Sequence, residues 1–313
     1  MSTERWLENV EKYLSNRRSL GFALANDEIM LRKFAEYADR GQHEHLTVEL
    51  ATEWARCSKV QSPITWARRI EILRGFALYL RRVDSDTEVP PTDLFGPSHR
   101  RLVPHVYTEA EVLDLLEASK LLTPRDGLRP ATCRTIFGLL ASTGLRISEA
   151  INLRRPDFDS KLHVLRIKEA KFHKERLVCL HSTVIEALQA YEKLRDDVVP
   201  RPATDHFFLL DNGKSANGRQ INYALRWLCH KMGWTPRGDH KHHRLHDFRH
   251  TFIVRNVLRA YENGIDADHA VLALSAYVGH ARVTDTYWYF TGIPELMGVA
   301  AERFRVYAQE AGS

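Results

Sequence analysis

Apolar positions recur at helical spacing over most of the chain, and only one short region reads as strand. Trp6, Val10, Tyr13 and Leu14 mark a first helix over residues 4–18. Asn26 is the expected N-cap of a second helix over 27–40, with Gly41 as its stop. Thr47 caps a third over 48–58. Ser62 followed by Pro63 opens a fourth, which carries Trp66, Ile70, Leu73, Ala77 and Leu80 on one face. The period is then lost over residues 83–108, VDSDTEVPPTDLFGPSHRRLVPHVYT, a stretch rich in Pro, Asp and Ser. Beyond it, Thr108 and Glu111 form a capping-box pair ahead of Val112, Leu115 and Leu116. A helix is expected over 129–141. HVLRIK (163–168) and RLVCLH (176–181) read as two strands joined by EAKFHKE. Helices return at about 184–196, 218–232, 246–262, 267–278 and 294–309.

This pattern predicts a mainly α protein of two domains. Residues 1–88 form a helical N-terminal domain and 89–105 a linker. Residues 106–313 form a mixed α/β domain, mostly α with a small β-hairpin sheet. A doubly wound fold or a βαβ series is excluded by the absence of alternating strands and helices.

Composition changes this picture little. The 313 residues are 44% hydrophobic and 27% charged, an ordinary globular balance with material for two cores. The net charge of +5 suits a polyanionic partner and equally a solvated basic surface. No run approaches the roughly 18 apolar residues of a membrane span. The opening MSTERWLENVEKYL is charged and does not read as a secretory leader. Cys57, Cys133, Cys179 and Cys229 are far apart and form no CxxC pair, which suits reduced thiols in a cytoplasmic protein.

Four segments and one basic helix hold the candidate chemistry. On the helix opened by Ser62, Arg68 points away from the apolar stripe and Arg69 and Arg74 flank it. They fit a solvated surface or contacts to phosphate. In STGLRISEAINL (142–153), Thr143-Gly144 breaks one helix and Ser148-Glu149-Ala150 begins another, with Arg146 at the junction. In HDFRHTFIVRN (246–256), His246, Arg249 and His250 share a helix face. Five histidines, His240, His242, His243, His246 and His250, raise the idea of a metal site. The segment has no HExxH glutamate and no nearby cysteine, and Lys241, Arg244 and Arg249 add repulsive charge. Lys171 lies in the hairpin turn EAKFHKER. Gly279-His280 precedes TDTYWYFTG (284–292), in which Tyr287 and Tyr289 flank Trp288. Each segment alone fits an ordinary structural role.

Taken in order, the four segments resemble the tyrosine recombinase (phage integrase) family. STGLRISEAINL is similar to its first arginine box, KFHKERLVCL to its hairpin-lysine segment, HDFRHTF to its H-x-x-R box, and VGHARVTDTYWY to its G-H box leading to the nucleophile. The resemblance spans about residues 106–295 and implies catalytic roles for Arg146, Lys171, His246, Arg249, His280 and Tyr289. Tyr289, not Tyr287, stands nine residues after His280. Phe172 and His173 depart from the small turn usual after the lysine. Lys174, Arg176 and Arg244 join Arg68, Arg69 and Arg74 as candidate DNA contacts.

The resemblance further implies a site-specific DNA recombinase, integrase- or transposase-like, that needs no cofactor or metal. It would act in the cytoplasm, at the nucleoid, as a homotetramer on double-stranded DNA, with or without partner recombinases. Cleavage would pass through a 3′-phosphotyrosyl intermediate and a Holliday junction. The helical N-terminal domain would help clamp the duplex. The apolar stripe of the tail helix around Pro294, Leu296, Val299 and Phe304 fits packing on its own domain, and the resemblance offers docking onto a neighbouring subunit as the alternative. Rival readings are a type IB topoisomerase-like enzyme, a DNA-binding accessory factor with a dead site, and a histidine-metal hydrolase.

Overall fold

The computed structural model of the chain describes residues 5–99, 102–168 and 175–279. It divides into two compact units, Met1–Arg101 and Leu102–Ser313. The fold is mainly α with one small antiparallel sheet.

Among the described residues, the first unit has four helices: α1 (Arg5–Ser19), α2 (Ala25–Arg40), α3 (Val48–Arg56) and α4 (Pro63–Leu80). Their apolar faces meet around an edge-to-face aromatic cluster. Phe34 lies 5.4 Å from Trp6 and from Trp54, and 6.4 Å from Phe76, between ring centroids. The caps at Thr47 and Ser62 form as expected, accepting from the amides of Leu50 and Thr65. The expected cap at Asn26 does not form. The helix begins at Ala25, and Leu24 occupies the cap position in the left-handed region at φ 51°. The backbone turn sets the start, with Glu28 N–H closing onto Leu24 O at 2.9 Å.

The second unit is built around α6. In chain order it contains α5 (Glu109–Ala118), α6 (Arg129–Thr143), the short α7 (Ile147–Ile151), three strands, then α8 (Ser182–Val198), α9 (Gly218–Lys231), α10 (His246–Glu262) and α11 (Ala267–Val278). The capping box at α5 is complete on both sides. The sheet has three strands where the sequence pattern predicts two. β1 (Phe158–Asp159) pairs with β2 (Val164–Lys168), which pairs with β3 (Glu175–Cys179). Two residues are too few to carry a period. Leu165, Ile167 and Val178 face inward and join Ile136, Phe137 and Leu140 of α6 in one core.

No helix among the described residues is long and apolar enough to cross a membrane. Lys171, Phe172, His173, Lys174, His280, Tyr287, Tyr289 and the tail beginning at Pro294 lie outside the described residues.

Candidate active site

Gly144 ends α6 in the left-handed region at φ 64°, and a side chain there would meet the Phe252 ring at 2.5 Å. This turn buries Leu145 and sets Arg146 at the start of α7. The Arg146 amide donates to Glu149 Oε2 at 2.9 Å, and its Nη1 donates to Glu149 Oε1 at 2.8 Å. The side chain is therefore aimed by a residue three positions along. Burial works to raise the Glu149 carboxyl, but hydrogen bonds and charge from Arg176 and Arg146 outweigh it and hold the group below its usual range.

α10 contributes Arg249, whose guanidinium is buried. Nη1 donates to Gly144 O at 2.9 Å and Nη2 to Val278 O at 2.6 Å. Arg146 Nη2 donates to Gly279 O at 3.2 Å, and Arg176 Nε to Tyr277 O at 3.1 Å. Three guanidinium groups from three separate elements thus hold three successive carbonyls at the end of α11. A helix end leaves such carbonyls without intrahelical partners and carries partial negative charge, so cations suit it. Gly279 closes the helix in the left-handed region at φ 69°, and the next residue is His280.

His246 opens α10 beside these arginines. It keeps a solvent-exposed surface, yet its ring lies in dense surroundings. Burial, then the charges of Arg249, Arg244 and Arg146, push it down to about 4, and water at its open edge softens that push. It is neutral at neutral pH and can accept or relay a proton. His250 stands edge-on to it at 4.9 Å, and burial lowers His250 further, to about 2. Arg244 is paired with buried Asp247, its Nη2 2.6 Å and its Nε 3.0 Å from Oδ1.

The five histidines do not gather. His243 packs instead among His105, Tyr107 and Trp234. Among the described residues, the side chains whose donor atoms do converge are His45, Asp84 and Asp86 in the first unit. There, His45 Nδ1 meets Asp84 Oδ2 at 3.0 Å and ties the loop before α3 to the loop after α4.

The other candidate DNA contacts among the described residues are engaged within the protein. Arg68 Nε donates to Ser98 O at 2.9 Å, Arg69 stacks on Trp54 at 3.9 Å from the ring centroid, and Arg74 donates to Pro90 O. Arg176 turns inward onto Glu149.

One further surface belongs with the site. α9, GRQINYALRWLCHK, contains no acidic residue. Ile221, Ala224, Leu225 and Leu228 are buried, while Arg219, Gln220, Tyr223, Arg226 and His230 form an exposed stripe. A side chain at Gly218 would touch Ile147 and Ile151 at 3.8 Å, so the start of α9 lies against α7 and hence near Arg146. An acid-free helix with a basic stripe is legible in sequence, once charge is counted element by element.

A model of the phage integrase family matches residues 105–292. The chain is 36% identical over 307 residues to y4rB of Sinorhizobium fredii (strain NBRC 101917 / NGR234), with 97% of each chain covered. It is 30% identical over 234 residues to the tyrosine recombinase XerC of Leptospira interrogans (serovar copenhageni), covering 72% of this chain and 67% of that one. Solved structures share the fold. A XerH site-specific recombinase bound to difH DNA aligns with TM-score 0.67 and 18% identity over 97% of this chain and 85% of that one. The Tn1549 transposon integrase in complex with a circular intermediate DNA aligns with TM-score 0.66 and 19% identity, over 95% and 99%.

Proposed function

The chain belongs to the phage integrase family and is a tyrosine recombinase, and from that premise we propose that it cuts and rejoins duplex DNA with Tyr289 as its nucleophile. The observation that carries this reading is the meeting of Arg146 and Arg249 on the turn of α11 that leads into His280. Two planar forks gathered on adjacent carbonyls support this reading, because such forks suit the oxygens of a phosphate.

In the proposed step, the Tyr289 oxygen attacks phosphorus and forms a phosphotyrosyl ester while the bond from phosphorus to the 5′-oxygen breaks. The phenol loses its proton and the departing 5′-oxygen gains one. Lys171 is the proposed acid for that oxygen, a role worth roughly 10²–10⁴ in rate. A phenol has a pKa of about 10, so a neutral imidazole at His246 or His280 helps remove its proton. Arg146 and Arg249 stabilise the charge that builds on the phosphate oxygens. One phosphate ester replaces another, so no external energy source is needed. The 5′-hydroxyl of a second duplex reverses the step, giving strand exchange through a Holliday junction within a tetramer.

The exposed stripe of α9 is the proposed groove-facing surface, because Arg219 and Arg226 suit phosphates while Gln220 and Tyr223 offer contacts to bases. The first unit is the proposed second half of a DNA clamp. The solved relatives named above were captured on DNA, which supports the choice of partner. The test is incubation of the protein with nicked suicide substrates carrying its own site. A protein–DNA adduct stable to denaturation is the expected result. A lack of adduct on any flanking DNA, with binding intact, would indicate an accessory factor.

A further inference from the structure

The core-facing side of β3 carries a charged residue. Register sets Arg176 opposite Ile167, and Ile167 and Val178 are buried, whereas Leu177 on the other face is 59% exposed. The Arg176 side chain is 14% exposed, and Nη1 and Nη2 donate to the two Glu149 oxygens at 3.2 and 2.9 Å. Its Nε donates to Tyr277 O at 3.1 Å, and the Tyr277 hydroxyl donates back to Cys179 O at 3.3 Å. The last turn of α11 is thus tied to β3 twice. Arg176 is the second residue after the segment 169–174 that contains Lys171. The strand on the other side is anchored too, by Lys168 Nζ on Asp157 Oδ1 at 2.7 Å.

We propose that Arg176 is a positioning residue, which fixes the hairpin bearing Lys171 relative to Arg146 and to the end of α11 before His280. A guanidinium held by a buried carboxylate and a carbonyl is committed to the protein, and its geometry joins three of the four catalytic segments. Arg146 reaches it through Glu149, the G-H segment through Tyr277, and Lys171 through the backbone of β3. A displacement of about 1 Å in a catalytic group can slow a reaction roughly 10²-fold. The inference rests on Lys171 as the acid argued above.

The test compares wild type, K171A, R176Q, R176K and the double variant K171A/R176Q on nicked suicide DNA. One substrate carries the ordinary phosphodiester and another a 5′-bridging phosphorothiolate, whose sulfur departs without a proton. R176Q and R176K are expected to bind DNA within about twofold of wild type and to cut the ordinary substrate roughly 10–100-fold more slowly. Sulfur should restore most of the rate to them and to K171A. The double variant should be no slower than K171A by more than about twofold, because both changes disable one function. Should R176Q fail to fold by circular dichroism, R176K keeps a charge beside Glu149 and carries the same sulfur comparison. Losses that multiply in the double variant, or a deficit in the Arg176 variants that sulfur does not relieve while K171A is relieved, overturn the proposal. Weakened binding with a shallower salt dependence overturns it in favour of a phosphate contact. A K171A deficit that sulfur leaves unchanged defeats the acid role itself. In that case non-multiplying losses still support the Arg176 tie, and multiplying ones overturn it.

Discussion

Arg146 and Arg249 donate to neighbouring carbonyls at one helix end, Gly279 O at 3.2 Å and Val278 O at 2.6 Å. The two residues come from different helices and are brought together by the left-handed turn at Gly144, whose own carbonyl accepts from Arg249 at 2.9 Å. The same groups that would clamp a phosphate therefore also shape the backbone that delivers His280. The proposed clamping role and local structure are thus linked at these arginines, and their substitution should have two separable effects.

Arg146→Lys and Arg249→Lys are each expected to slow cleavage by roughly 10²–10³ with DNA binding largely kept, since lysine retains the charge and loses the fork. Arg249 is buried, so its substitution also strands carbonyl partners and should remove about 1–3 kcal/mol of stability. Arg146 is 37% exposed and should leave the melting temperature nearly unchanged. Rapid-quench cleavage and thermal melting on the same preparations check both effects. Near wild-type cleavage by both variants would remove these arginines from the phosphate clamp.

Tyr289→Phe is expected to abolish the covalent adduct, and Tyr287→Phe to leave it detectable. The reason is the nine-residue spacing from His280 that the family resemblance requires. Peptide mapping of the trapped adduct provides an independent measurement. An adduct located on Tyr287 would reverse the assignment.

The site residues are legible in sequence to different degrees. His246 and Arg249 lie three apart on a long helix, a spacing that sequence displays directly. The capping box at Thr108 and the helix break at Gly144 depend on local residue chemistry and are legible for the same reason. Arg176 is a different case. Its position beside a lysine in a basic hairpin suggests a DNA contact, whereas its inward side is decided by alternation with Val178 and by a carboxylate 27 residues away. Glu149 is visible in sequence only as a helix-start residue, because its second role depends on that distant partner. Asn26 has the right side chain for a cap, but the backbone turn at Leu24 starts the helix first.

Stability should fall with acid in a window set by buried histidines. His105 is lowered to about 4, chiefly by burial, and its Nδ1 accepts from the Arg237 amide at 3.1 Å. Its folded value lies below that of an unfolded histidine at about 6.5, so the unfolded chain binds more protons between these limits. The contribution is full above about pH 6.5 and is lost as pH falls toward 4. Linkage at roughly 1.4 kcal/mol per unit puts it at roughly 3–4 kcal/mol. His250, lowered to about 2 by burial, continues the loss to lower pH. His105→Gln is expected to flatten the fall in melting temperature between about pH 6.5 and 4.5. An unchanged slope would show that His105 is not a source of the acid sensitivity.

The stripe on α9 offers a prediction that separates contact with DNA from the internal roles of other arginines. Arg219 and Arg226 are exposed on a helix without acidic residues, and Tyr223 between them is 63% exposed. If this face follows a groove, each arginine neutralises phosphate and releases counterions on binding. Arg219→Ala and Arg226→Ala should then each reduce the slope of log affinity against log salt by about 0.9 for every phosphate left without its arginine. Tyr223→Ala should leave that slope alone and lower the preference for the cognate site over unrelated DNA, as expected of a base contact. Because all three side chains lie outside the core, melting temperatures should move little. Arg176→Gln provides the contrast, since its guanidinium is held by Glu149 and Tyr277 and its removal should not alter the salt slope. Fluorescence anisotropy titrations over a salt series measure all four proteins. If the α9 arginine variants keep the wild-type slope, the basic stripe is a solvated face and the groove contact lies elsewhere in the chain.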